Sequence, residues 1–541
     1  VGRVKIDNYD NRSTYKAYAS TGTLVSGDRG TYSDTSTQSK NTYADAIATL
    51  NKSFNDWSVN VNLGVSLSDS RYEMIGYEGG LKLINFFAVH NIDFNKAWKA
   101  KQSGWHDQTR AIFANAEIGW KSMIYLTATG RNDWDSRLAF SDYKSFFYPS
   151  IGLSAILTSM FNAPDWLTYL KVRGSYTEVG NSYGRFMTTV TYPYDEQTQS
   201  WTSTSSYPNT KLKPERTKSW EVGLDARILN DISLNLTYYR SNTYNQTFYA
   251  DLSLSSGYSN IPIQSGNIMN EGLEMSLGYN KQWKDFSFNT NYTLTWNKNR
   301  VKRLADGVYN YATGQPIQMP ELSPLTYGHT DARLILRVGG SMGDVYGQRL
   351  LKRDLNGYIL NEEGVGLAME NKETYLGSIL PKMNMGWSLG FGYKGVNLGM
   401  TFTGRFGGIV ISETQSVLDA AGVSKVSADV RDAGGVQINQ SKVSAQTYYQ
   451  TIQGTAAYYT YSATNIRLGE LSLSYTLPKK WFDNKVGMTV GLVGKNLWMI
   501  YCKAPFDPEL TTSAASNFYQ GFDAYMLPST RNFGFNVKFQ F

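Results

Sequence analysis

Apolar and polar residues alternate along most of this chain, most plainly in its last segment. Arg531 to Phe541 reads R-N-F-G-F-N-V-K-F-Q-F, with Phe533, Phe535, Val537, Phe539 and Phe541 on one side. Asn532, Gly534, Asn536, Lys538 and Gln540 fall on the other, as successive strand residues must. The same period puts Trp57, Val59, Val61, Leu63, Val65 and Leu67 on one face, and Ile112, Ala114, Ala116, Ile118 and Trp120 on another. Trp220 to Ala226, Ile232 to Tyr238, Phe286 to Trp296, Trp387 to Tyr393, Val396 to Phe402, Leu471 to Leu477 and Met488 to Leu492 repeat it. The rhythm predicts about 16 strands, near 14–24, 42–54, 57–68, 109–119, 122–130, 146–157, 168–177, 217–228, 231–242, 270–279, 284–297, 383–393, 396–405, 464–477, 486–497 and 531–541. Strands with one apolar and one wet face, ending on an aromatic, predict an all-β fold, a transmembrane antiparallel β-barrel.

The connections support that reading. Short ones, Asn55-Asp56, Asn230-Asp231 and Lys394-Gly395, suit tight hairpins, and 158–167 and 478–485 extend the same series. Between them lie long loops near 69–108, 178–216, 298–382, 406–463 and 498–530. Outer-membrane barrels sort loop length by side in this way, with short periplasmic turns and long external loops. Trp57, Trp120, Trp283 and Trp481 flank short turns, where an indole suits the headgroup layer. Ordinary strand aromatics are the alternative.

Composition narrows the field further. The 541 residues are 41% hydrophobic, with a mean hydropathy of −0.38. A barrel hides from hydropathy because lumen-facing polar residues dilute the lipid-facing ones. Cys502 is the single cysteine, so no intrachain disulfide framework exists. His90, His106 and His329 lack metal-ligand spacing. A net charge of +7 forms no stripe of the kind nucleic acid requires.

Specific motifs then appear in order. R-N-D-W (131–134), F-F-Y-P-S (146–150), L-K-V-R-G-S-Y-T-E-V-G-N (170–181) and L-K-P-E-R-T-K-S-W-E-V-G-L-D (212–225) are followed by G-N-I-M-N-E-G-L-E (266–274) and N-K-N-R-V (297–301). I-R-L-G-E-L-S-L-S-Y-T-L-P (466–478), G-K-N-L (494–497), F-D-P-E (506–509) and P-S-T-R (528–531) complete the series. On these motifs the chain resembles the barrel of TonB-dependent outer-membrane transporters, specifically the SusC/RagA family of Bacteroidota. Residues 1–110 match in texture only.

The resemblance implies a barrel of about 22 strands. Residues 1–541 are therefore expected to be the C-terminal part of such a barrel, with the N-terminal plug and TonB-contacting segment outside the chain. It also implies TonB-dependent import of an oligosaccharide, or second an oligopeptide, across the outer membrane. The implied partners are a SusD-type surface lipoprotein acting as a lid, TonB, the lipid bilayer and the cargo; a dimer of transporter–lipoprotein pairs stays open. A passive porin-like channel, a non-transporting receptor or adhesin, and a soluble carbohydrate-binding protein are the competing readings.

No catalytic constellation, cofactor site or metal site emerges. Gly386-Trp387-Ser388-Leu389-Gly390 fits a hydrolase-elbow pattern but lies inside an alternating strand. Asp354-Leu355-Asn356-Gly357 resembles part of a calcium loop, although an Asn-Gly hairpin turn explains it better. Gly339-Gly340 through Gly343 lacks the strand–turn–helix setting of a phosphate cradle. Aromatics in the external loops are the candidates for cargo binding: Trp105, Trp201, Tyr207, Tyr458, Tyr459 and Tyr519. Their rings would pack on sugar C–H faces, or else loop against loop. Phe533, Phe535, Phe539 and Phe541 are expected to close the barrel as its terminal aromatic strand.

Overall fold

The computed structural model describes the chain except residues 21–28, 96–97, 196–199, 265, 305–313, 316–320, 363–365, 511 and 513–516. Sixteen strands form one sheet in chain order. They are β1 Gly2–Ala17, β2 Thr31–Phe54, β3 Trp57–Gly80, β4 Trp98–Trp120, β5 Ile124–Asp135, β6 Phe146–Ile156, β7 Leu167–Asn181 and β8 Glu215–Ile228. Then come β9 Ile232–Tyr244, β10 Asn267–Trp283, β11 Phe286–Arg303, β12 Met383–Tyr393, β13 Val396–Phe406, β14 Asn465–Thr476, β15 Gly487–Cys502 and β16 Asn532–Gln540. Every strand expected from the alternation has its counterpart. The chain divides into two compact units: Val1–Leu153, Ser175–Lys218 and Tyr244–Ser265; and Ser154–Gly174, Ser219–Thr243 and Gly266–Phe541.

Tight turns join the strands where they were expected. Leu229 and Asn230 both take positive φ, and so do Lys394 and Gly395. Left-handed pairs of this kind twist the chain in the sense that flanking strands need.

The apolar rows face outward, the reverse of a water-soluble sheet. In the second unit Phe288 lies opposite Phe391, Phe391 opposite Leu398, and Leu398 opposite Leu473. Leu473 then meets Leu492, and Leu492 meets Phe535. Leu473, Leu492 and Phe535 are 50%, 61% and 69% exposed. In the first unit Val65 opposes both Ala46 and Ile112, and Val65 and Ile112 are again exposed. The other face is polar: Asn60 Nδ2 donates to Asn51 Oδ1 at 2.6 Å, and Asn62 Nδ2 to Asn60 Oδ1 at 2.8 Å.

Two expectations need correction. The first strand, expected near 14–24, runs from Gly2 to Ala17, and residues 21–24 of the expected span lie outside the described residues. Its Asn8–Ser13 stretch is polar on both faces, so period-2 reading passes over it, yet it pairs with β2 from Gly2↔Ala46 to Ala17↔Thr31. Arg3–Asp45 (2.9 Å) and Arg12–Asp34 (2.5 Å) ion pairs cross the same ladder. The long loop expected at 69–108 is mostly strand, because β3 reaches Gly80 and β4 begins at Trp98.

The remaining long connections of the second unit fold into structure of their own. Glu321–Thr326, Arg333–Arg337, Asp344–Leu351 and Met369–Ser378 make a four-stranded sheet. Helices α1 Glu413–Ala420, α2 Lys425–Asp432 and α3 Ala445–Ile452 each start at a serine, Ser412, Ser424 and Ser444. Each serine side chain accepts a hydrogen bond from the backbone N–H three residues on, a standard N-cap. One buried cluster joins Tyr327, Leu334, Val345, Ile379, Ile411 and Phe522. A second joins Leu351, Leu367, Tyr449, Ile452 and Tyr459.

The exposed rows set a clear test of membrane orientation. In lipid vesicles Leu492→Lys is expected to lower folding stability by about 2–4 kcal/mol if Leu492 sits near mid-depth. Ser472→Lys, on the opposite face, is expected to cost far less. Equal costs in reversible denaturant titrations would reject the outward assignment.

Candidate binding cleft and the external loop layer

The second unit holds a cleft of about 590 Å³ at the long-loop ends of β11, β12 and β13. Trp296, Asn297, Lys298, Asn299 and Arg300 of β11 form one side, and Gly339–Ser341, Asp344, Tyr375 and Ser378 the other. Asn299 Oδ1 accepts from Met342 N at 2.7 Å and from Ser341 Oγ at 3.3 Å. Asn299 Nδ2 donates to Asn270 Oδ1 at 2.9 Å. These bonds fix the amide and hold the 339–343 turn against the strand. The turn lies between two strands, Arg333–Arg337 and Asp344–Leu351, and no helix follows it.

Asp344 is buried. Its Oδ2 accepts from Ser341 N at 2.8 Å, and its Oδ1 from the Tyr375 hydroxyl at 3.2 Å. Burial raises the Asp344 carboxyl above its ordinary range, outweighing the two hydrogen bonds that pull it down. Burial, then the neighbouring Asp344, pushes the Tyr375 phenol up to about 12. The cleft thus offers two exposed aromatic edges, fixed amides, three cations (Lys298, Arg300 and Lys382) and a protonatable acid. Such a set can hydrogen-bond and stack on a polar oligomer, and it supplies no nucleophile–base pair.

The six candidate aromatics separate by environment. Trp105 lies on β4 and not in a loop. Its ring stacks on Tyr72 with centroids 5.7 Å apart, and the Arg185 guanidinium sits 3.6 Å from its centroid. Arg185 also pairs with Asp107 at 2.5 Å. Tyr207 packs edge-on against Tyr258 at 5.1 Å. Tyr458 is half-buried, its hydroxyl accepting from Leu351 N at 3.1 Å. Tyr459 is only 2% exposed and belongs to the second buried cluster. Tyr519 packs beside Tyr327 and Phe522 of the first cluster. Trp201 alone of the six stays broadly open, at 71% exposure, with Tyr194 edge-on at 5.1 Å.

Phe533, Phe535, Phe539 and Phe541 are all exposed, the first three on β16 and Phe541 just beyond it. The remaining motifs resolve as structure. Ser388 lies within β12, as its alternating surroundings imply. The Asp354 carboxylate accepts from Asn356 N (2.9 Å) and Tyr358 N (2.8 Å), and Gly357 takes φ +86°. The acid therefore holds a turn. The cleft itself was missed by sequence reasoning, although N-K-N-R and the Gly339–Gly343 segment were both singled out; they lie about 40 residues apart, and nothing in the sequence pairs them.

Outward apolar rows, short turns at one end of the strands and folded loops at the other define a β-barrel protein of the outer membrane. Residues 3–497 match the family described as TonB dependent receptor-like, beta-barrel. This chain belongs to that family. It is 24% identical over 544 residues to TonB-dependent receptor P3 of Formosa agariphila, covering 92% of this chain and 52% of the relative. It is 25% identical over 243 residues to TonB-dependent receptor SusC of Bacteroides thetaiotaomicron, covering 44% and 22%. The RagAB peptide importer in its open-open state superposes with a TM-score of 0.77 at 18% identity, covering all of this chain and 59% of that one. The chain thus spans about half the length of the curated relatives P3, P26 and P39.

Two outcomes follow from the geometry. Tyr459→Ala is expected to destabilise the loop layer by about 3–5 kcal/mol, as large-to-small core changes do. Trp201→Ala should stay within about 0.5 kcal/mol; protease sensitivity of the loops reads both. Asp344 has a raised folded-state pKa, so its stabilisation is present below about 3.9, the ordinary carboxylate value, and is lost as pH rises through the raised value. Hydrogen exchange over residues 333–378 should therefore quicken with pH across that window beyond its intrinsic rate. In Asp344→Asn the excess should vanish.

Proposed function

We propose that this chain forms the wall and external loop layer of a TonB-dependent importer that carries an oligosaccharide across the outer membrane. The observation that supports this most is the folded loop layer. Two buried clusters, a four-stranded sheet and three helices are far more structure than a passive channel rim requires, and they present a polar cleft with aromatic edges. The cleft's Trp296 and Tyr375 supply faces for sugar C–H groups; Trp201, in the first unit, is a separate candidate. Asn297, Lys298 and Arg300 supply partners for hydroxyls.

A SusD-type surface lipoprotein would cap the loops and close over cargo. TonB would then displace a plug to open the lumen. Plug and TonB-contacting segment would belong to the part of the relatives' length that this chain does not span. Oligopeptide is the second cargo class, favoured by the mixed charge of Lys298, Arg300 and Asp344 around the cleft and by likeness to a peptide importer.

Uptake of labelled oligosaccharides and oligopeptides tests the reading in cells with the gene, without it, and without TonB. Active import requires accumulation to fall to background in both deletions. Uptake that survives loss of TonB identifies a passive channel. Surface binding with no uptake identifies a receptor or adhesin.

A further inference from the structure

A groove of about 1050 Å³ lies on the outward face of the first unit, spanning β1 to β6 with Val1 and Gly2 at one side and Phe147 at the other. Its floor is made of small residues, chiefly Ala46, Ala114 and Gly130, and its walls of Leu63, Val65 and Ile112. An overlapping hollow of about 880 Å³ carries it up to Leu67, Arg110 and Trp134. Arg110 lies opposite Leu67 on β3 and Trp134 on β5.

Depth can be worked out from the strand. Arg110 precedes Trp120, at the short turn, by ten residues. At about 3.3 Å per residue and a tilt near 40°, ten residues climb roughly 25 Å, the height of a barrel's apolar band. Arg110 and the exposed Trp134 therefore sit at the far interface, on the long-loop side, and the groove runs down from them through hydrocarbon.

The charge at that end is uneven. Arg110 Nε donates to Gln108 Oε1 at 3.0 Å, and its terminal nitrogens have no partner among the described residues. Asp69, further up, is already held by Arg71 (3.3 Å), by His106 (2.7 Å) and by Gln108 Nε2 (3.3 Å). A free guanidinium above an apolar trough fits a molecule with an anionic head and an aliphatic tail.

The geometry points to a binding site for a phosphate-bearing acyl lipid of the outer leaflet, with its phosphate on Arg110 and one chain laid along Val65, Ile112 and Ala46. Such a lipid would brace the long β2–β3–β4 hairpins where they leave the membrane.

Native mass spectrometry of the full-length protein, released in mild detergent, tests this. Dioleoylphosphatidylglycerol, whose phosphate leaves it net anionic, serves as the probe, and dioleoylphosphatidylcholine, whose phosphate is balanced by choline, as the zwitterionic control. Wild type should retain the anionic lipid about fivefold better, the ratio expected of one basic residue at an anionic headgroup. Arg110→Gln should abolish that preference while leaving the protein folded. Ala46→Trp, which fills the trough, should cut retention of both lipids. Equal retention by wild type, or an unchanged preference in Arg110→Gln, overturns the proposal. If Ala46→Trp instead breaks a dimer without altering lipid retention, the groove is a surface between copies. Should Ala46→Trp fail to fold, Arg110→Gln decides alone.

Discussion

Inside hydrocarbon a peptide N–H has no water to bond with, so each spanning segment must find its partners in the next one. The sixteen-stranded ladder answers that constraint, and the side chains follow from it. Once the backbone is paired edge to edge, each residue points to one face of the sheet or the other. The row from Phe288 through Phe391, Leu398, Leu473 and Leu492 to Phe535 assigns the outward face to carbon. Serines, threonines, asparagines and glycines take the other. Gly390, for instance, leaves room that the Asn289 side chain fills, since a Cβ there would lie 2.5 Å from that amide.

A wall built this way is chemically plain, and in the proposed importer discrimination falls to the loops. The loop layer of the second unit is built like a small soluble domain, with buried Leu, Ile, Tyr and Phe and capped helices. Its buried Arg467–Asp507 pair (2.8 Å) ties the loop after β15 to the start of β14. Burial alone would raise the Asp507 carboxyl, but the Arg467 hydrogen bond and a backbone N–H bring it below its ordinary range. The anchor therefore holds down to acid pH.

The strands were legible because period-2 alternation survives wherever one face must meet lipid. It fades where both faces are wet. Asn8–Ser13 and Ser68–Arg71 continue the ladder with polar residues on both sides, and there the expected strand ends fell short. The loop layer was opaque for another reason. Its pieces are two to ten residues long and owe their form to packing between segments distant in sequence. Nothing local distinguishes Tyr459, sealed in a cluster, from Trp201, open to solvent. The cleft shows the same limit, since N-K-N-R and the Gly339–Gly343 turn were both visible on the page but nothing local said that they meet.

The central claim is that the apolar rows face lipid, and spin-label accessibility measures this directly. Nitroxides placed one at a time at 471–474 and 490–493 of the refolded protein in bilayers should alternate. Labels at Leu473 and Leu492 should relax with oxygen dissolved in the lipid, and those at Ser472 and Val493 with a water-soluble nickel chelate. A reversed phase, or no alternation at all, would contradict the account.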